Sequence, residues 1–169
     1  MATDRGDIKI SLDADKAPCA ANSFLSLAKQ KFFDGTACHR LVNGGPGSLN
    51  VLQCGDPTAT GSGDPGYEFD EELVDQDSRL RPCYDQRGPS GNQYCTYPAG
   101  TVAMAKGNAP GTSGSQFFLV FEDSILEASY TVLGRMSAAG LQVVQSEAKE
   151  GVVTGSETPK QSITITSIK

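Results

Sequence analysis

The chain reads as a mainly β fold, a β-barrel capped by two helices, on three observations. Short apolar runs rich in β-branched residues recur from DIKISL near the start to QSITITSI at the end. Helical spacing of apolar residues occurs only twice, at sites far apart in the chain. Gly- and Pro-rich connections separate the runs, and no repeat or linker divides the 169 residues, a length suited to one domain.

In DIKISL, Ile8, Ile10 and Leu12 alternate with polar residues as in a half-buried strand. Pro18 suits the first turn of a helix, and Ala20, Phe24, Leu27 and Ala28 then form one apolar stripe to about Lys31. Cys38 to Val42 and Val51 to Gly55 are predicted strands, with NGGPG breaking the chain between them. PTATGSGDPG, from Pro57 to Gly66, is a loop, and a polar stretch follows to Pro98. Thr101 to Ala105, Gln116 to Phe121 and Thr131 to Arg135 are further strands. A second helix carries Leu141, Val144 and Ala148 on one face.

Composition excludes several functions. A net charge of −6 supplies no clustered cations for a phosphate backbone, so nucleic acid is not an expected partner. No run of about 18 apolar residues is present for a membrane span, and MATDRGDIKIS lacks the apolar centre of a signal peptide. One histidine and five cysteines without a C-x-x-C spacing make no zinc set, and no metal or cofactor is expected. Gly61, Gly63 and Gly66 match G-x-G-x-x-G, but Pro65 and YEFDEE follow where a helix must open, so these glycines serve turns. Cys38 and His39 are adjacent on a predicted strand and point to opposite faces, which removes a Cys-His dyad. His39 is expected to be structural, bonded to backbone.

Cys83 and Cys95 flank RPCYDQRGPSGNQYC, a polar loop with little else to order it. A disulfide there would remove about 3 kcal/mol of unfolded-state entropy; two free thiols are the alternative. Cys19 with Cys38 is a second possible pair, leaving Cys54 free. Disulfides would place the protein outside the cytoplasm or in a secreted compartment, while a cytoplasmic location stays open.

Arg40 is predicted to face away from His39, beside Cys38 and Val42, with Gln53 on the next strand as a neutral partner that orients the guanidinium without quenching its charge. CHRLVNGGPGSLNVLQCGD, then VAMAKGNAPGTSGSQFF, then FEDSILEASYTVLGRM resemble the cyclophilin pattern F-H-R-x-x-x-G-F-x-x-Q-G-G-D, M-A-N and N-G-S-Q-F-F over nearly the whole chain. The resemblance implies a closed eight-stranded antiparallel barrel with two capping helices, in one domain (1–169) with a loop insertion at 72–98. It implies a peptidyl-prolyl cis-trans isomerase that assists folding, with a weakly active module binding Pro-containing segments as the alternative.

Carried over by position, Arg40 is the central catalytic residue, Gln53 its support and Phe118 the floor of the proline pocket. Val51 stands where the family has methionine, and Leu126 at a wall leucine. Ala105 and the backbone of Lys106 would hold the substrate main chain beside Gln116, and Tyr130 stands where many members have histidine. Two departures stand out. The loop before Gln53 is longer, leaving Leu49 or Asn50 for the usual pocket phenylalanine. Ile125 falls at or near the tryptophan that binds cyclosporin, so weak binding of that drug is expected. Partners are proline-containing polypeptides, and the chain is expected to be a monomer.

Overall fold

The computed structural model describes residues 1–169. Strands β1 (Ala2–Thr3) and β2 (Ile10–Leu12) precede helix α1 (Pro18–Lys29). Then come β3 (Arg40–Asn43), β4 (Asn50–Cys54), β5 (Cys83–Arg87), β6 (Gln93–Tyr97), β7 (Thr101–Met104), β8 (Phe117–Val120), β9 (Ser124–Glu127) and β10 (Val132–Met136). Helix α2 (Ala138–Glu150) and β11 (Ile165–Ser167) complete the chain.

The expected mainly β architecture with two helices is present. Its ladders form three sheets: six antiparallel strands in the order β2-β10-β7-β8-β4-β3, three in the order β5-β6-β9, and the pair β1-β11. The ladders do not join into the ring of eight strands that was expected. Turns and bulges break the ladders, as between Val132 and Gly134 on β10.

Register assigns each residue of the large sheet to a face, because side chains alternate with period two. Leu41, Leu52, Leu119 and Val102 stand opposite one another in adjacent strands and are almost fully buried. They join a core of 24 buried residues that also takes the inner faces of both helices. Phe24 of α1 meets Phe33 and Phe117 at ring-centroid distances of 5.2 and 5.3 Å. The opposite face carries Val51, Ala103, Phe118 and Val120, which pack with Tyr97 and Leu80 in a second cluster of eight.

Helix α1 begins where the sequence places it, and α2 contains the expected Leu141, Val144 and Ala148. Pro18 occupies the first turn of α1, and the Glu72 carboxylate takes the free amides of Cys19 and Ala20, each at 2.9 Å. Ser137 caps α2, accepting from the Gly140 amide at 3.2 Å.

Three expectations are corrected. The predicted loop between Cys83 and Cys95 is a hairpin, β5 and β6, whose GPSGN turn and alternating QYCTY carried the signal. Its disulfide is present, Cys83–Cys95. The other pair is Cys38–Cys54, and Cys19 is free and exposed on α1. Cys19 could not meet Cys38 because α1 buries Ala20, Phe24 and Leu27 and turns Cys19 outward. Strand β3 starts at Arg40, so Cys38 lies outside the ladder and turns into the inner core, rather than sharing a face with Arg40.

Candidate functional site

Residues on the second face of the large sheet line up across strands. Arg40 on β3 is paired with Gln53 on β4, Gln53 with Phe118 on β8, and Phe118 with Ala103 on β7. One row therefore sets a cation, an amide and an aromatic ring side by side. Val51, two residues before Gln53, occupies the adjacent row.

The Arg40 Nη1 donates to Gln53 Oε1 at 3.2 Å. Because a guanidinium only donates, this contact turns the oxygen of the Gln53 amide toward Arg40 and its nitrogen away. That nitrogen donates to Gln116 Oε1 at 2.7 Å, and Gln116 Nε2 donates to the carbonyls of Gly61 and Gly63 at 3.0 and 2.9 Å. The relay ends on Asp56, a buried carboxylate that accepts from the amides of Thr58, Gly61 and Gly63. Burial alone would push its pKa up. These hydrogen bonds, with one from the Thr58 hydroxyl, outweigh burial and hold it at about 2. The glycines of the rejected G-x-G-x-x-G string thus form a loop stapled by Asp56, with Gly61 and Gly66 at positive φ.

Gly55 shows why the CGD segment needs glycine. Its φ is 89°, and a Cβ there would lie 2.4 Å from the Ser115 carbonyl oxygen. This close approach places the segment carrying Gln116 against the end of β4.

Sequence reasoning missed the second partner of Arg40. Its Nε donates to Glu157 Oε2 at 2.5 Å, a partly exposed ion pair with side-chain exposures of 38% and 52%. Glu157 comes from the segment before β11 and is anchored by its own carbonyl, which accepts from the Leu41 amide at 2.7 Å. A separation of 117 residues gave no local signal. The guanidinium is therefore held from two sides, by one neutral and one charged acceptor. The Cys38–Cys54 disulfide fixes the same pair of strands just before Arg40 and just after Gln53.

A shallow cavity of about 100 Å³ opens over this row. Arg40, Val51, Gln53, Ala105, Lys106, Phe118, Leu126 and Tyr130 all line it, and Leu49 completes the wall. Of the residues named from sequence, only Gln116 stands behind the lining, in the relay. Leu49 rather than Asn50 fills the place left by the longer loop. Asn50 is fully buried, and its side-chain nitrogen donates to the carbonyls of Gly45 and Ser48.

The cavity floor is aromatic. Phe118 and Tyr130 meet edge to face at 5.5 Å, and Tyr97 lies 6.4 Å from Phe118. Lys106 Nζ sits 5.7 Å from the centre of the Tyr130 ring. Burial, then the nearby Glu127 charge, raises the Tyr130 hydroxyl pKa, so that group stays neutral. The Ala105 amide is taken by the Gln116 carbonyl at 2.9 Å.

His39 is corrected. It stands outside β3, and neither ring nitrogen has a hydrogen-bond partner. Burial lowers its pKa, which keeps it neutral beside the Gly61 loop. Ile125 pairs with Thr96 on β6 and is not among the cavity residues.

The family described as cyclophilin type peptidyl-prolyl cis-trans isomerase/CLD matches residues 1–169. The chain belongs to the cyclophilin family. A "Probable peptidyl-prolyl cis-trans isomerase B" of Mycobacterium tuberculosis is 45% identical over 171 residues, covering 99% of this chain and 52% of that protein. One of the same name from Mycobacterium leprae is 44% identical, covering 100% of this chain and 55% of that one. The cyclophilin chain thus spans about half the length of these curated relatives. A Cryptosporidium parvum cyclophilin type peptidyl-prolyl cis-trans isomerase, crystallised in the presence of the dipeptide Ala-Pro, superposes with a TM-score of 0.73. It shares 26% identity, with 99% of this chain and 94% of that one covered. No helix of the cyclophilin chain is long and apolar enough to cross a membrane, and its two disulfides are compatible with an extracytoplasmic location.

Proposed function

We propose that this chain is a peptidyl-prolyl cis-trans isomerase acting on X-Pro bonds of polypeptides, with the Arg40–Gln53–Phe118 row as its working surface. The observation that carries this is the juxtaposition of an oriented guanidinium and an aromatic-floored cavity of proline size. Family membership supports it, as does the Ala-Pro dipeptide with which the related Cryptosporidium protein was crystallised.

The X-Pro bond rotates slowly because C–N resonance raises a barrier of about 18–20 kcal/mol. Rotation makes the prolyl nitrogen pyramidal and frees its lone pair. A donor aimed at that nitrogen binds the twisted bond better than the planar one, which is differential stabilisation of the transition state. Arg40 supplies that donor; its charge persists at every relevant pH and its fork is rigid. Gln53 and Glu157 hold it, and Gln116 holds Gln53. Phe118, Val51, Leu49 and Leu126 grip the ring and exclude water, while the Ala105 carbonyl and Lys106 backbone take the flanking main chain. No step needs a proton to move, so the rate is expected to be flat across neutral pH.

The chain acts as one cyclophilin-like unit, a monomer, with residues 72–98 as an added element. Ile125 offers cyclosporin no aromatic surface, and weak binding follows. The two disulfides support an oxidising compartment outside the cytoplasm. A protease-coupled assay on a short X-Pro peptide tests the activity. Acceleration by the parent chain supports it; binding of the peptide without acceleration would leave a docking module instead.

A further inference from the structure

A larger cavity, about 370 Å³, lies beside the proposed proline cavity and shares Tyr130 with it. Leu73, Leu80, Val132 and the Cys83–Cys95 disulfide form its apolar walls, with Gln93 at its edge. Its size falls in the range of sites that take a small ligand or a side chain, roughly 300–1,000 Å³. We propose that this cavity is a second substrate subsite, which takes an apolar side chain of the same polypeptide two or three residues from the proline. This rests on the proline-site reading above.

Strand register places the two cavities on one surface. Leu126, a wall of the proline cavity, stands directly opposite Cys95 on β6, and Cys95 stands directly opposite Cys83 on β5. Directly opposed residues project to the same face of a sheet. The row Leu126–Cys95–Cys83 therefore runs from one cavity into the other across two strand spacings of about 4.8 Å. An extended substrate advances about 3.3 Å per residue. A side chain two or three positions from the proline reaches the disulfide.

Several of the charged side chains around the cavity are held by partners within the protein. Asp77 pairs with Arg79 at 2.7 Å, and Glu72 holds the amides that open α1. Arg81 donates to the Gln76 carbonyl at 3.0 Å and Arg87 to that of Gly91 at 2.6 Å. Leu80, Val132, Ala128 and the disulfide give the cavity a continuous apolar wall, with the exposed Leu73 at its lip and Asp75, Gln76 and Asn92 as its polar neighbours. A leucine or phenylalanine gains against that wall by leaving water.

The test compares a tetrapeptide containing X-Pro with longer peptides that carry leucine, serine or aspartate at each position up to three from the proline, on either side. Leucine at one of the second or third positions is expected to raise kcat/KM on the order of tenfold over serine. Gln93→Trp, which fills the cavity, and Leu73→Ser, which makes its lip polar, should each remove most of that preference and leave tetrapeptide turnover unchanged. Equal rates for leucine and serine at every position, or a preference that survives Gln93→Trp, would overturn the subsite. Absence of turnover with every peptide would instead strike the isomerase reading on which it rests.

Discussion

Arg40 is held by two acceptors of different kind, and substitutions there separate charge from direction. Arg40→Ala is expected to lower kcat/KM by about a hundredfold or more. Arg40→Lys keeps the charge but loses the rigid fork, and should recover only part of the rate in the peptide assay. Glu157 is a positioning residue that touches no substrate; it acts through the Arg40 Nε. Glu157→Ala should lower kcat several-fold with little change in KM, and Glu157→Gln, which still presents an oxygen, should restore most of it. Loss of KM alone in Glu157→Ala would assign Glu157 to substrate binding. Phe118 is 5% exposed and floors the cavity, so Phe118→Ala should raise KM and also cost about 3–5 kcal/mol in denaturant unfolding. Arg40 and Gln53 were legible in the sequence as neighbours on adjacent strands and through the family resemblance, and Phe118 through the resemblance alone. Glu157 was not, because nothing local ties it to a residue 117 positions away.

The loop from Asp56 to Gly63 is the element that holds the relay. Asp56 has a depressed pKa in the fold, so its stabilising contribution is complete above the ordinary carboxylate value of 3.8 and fades as pH falls toward 2. His39 is also depressed, from 6.5, by burial. Its contribution is present above that value and is lost as the pH falls below it, in a separate, higher window. Melting curves from pH 8 to pH 2 should show the later loss shrink in Asp56→Asn, leaving the part carried by Asp77, whose carboxyl Arg79 also holds below its ordinary value, along with a lower Tm at neutral pH from the weakened loop bonds. An unchanged acid limb would remove Asp56 from this role. Asp-Pro-Thr followed by closely spaced glycines announced a loop, but the direction in which Asp56 points is tertiary information. The β5–β6 hairpin shows the opposite case. QYCTY and GPSGN hold a readable strand and turn, hidden by the polar composition of the surrounding segment.

Across the whole molecule, four cysteines are paired and Cys19 alone is free. Alkylation followed by mass measurement should label one thiol before reduction and five after, and slowly in the first case. The hydrogen bond and charge of Glu72 raise the Cys19 pKa and keep it protonated. Removing the Cys83–Cys95 bond by paired serine substitution should cost about 2–4 kcal/mol of stability. The mainly β architecture and the positions of both helices followed from periodicity. The three-sheet arrangement and the Cys38–Cys54 pairing did not, since both depend on where strands end. The central claim is that Arg40 lowers the rotation barrier rather than binding the peptide. Exchange NMR on an X-Pro peptide measures both at once, as the cis-trans exchange rate and the bound fraction. Rapid exchange is expected with the parent chain, and in Arg40→Ala exchange near the uncatalysed rate with the peptide still bound. Exchange that stays fast in Arg40→Ala while the peptide binds normally would contradict that claim.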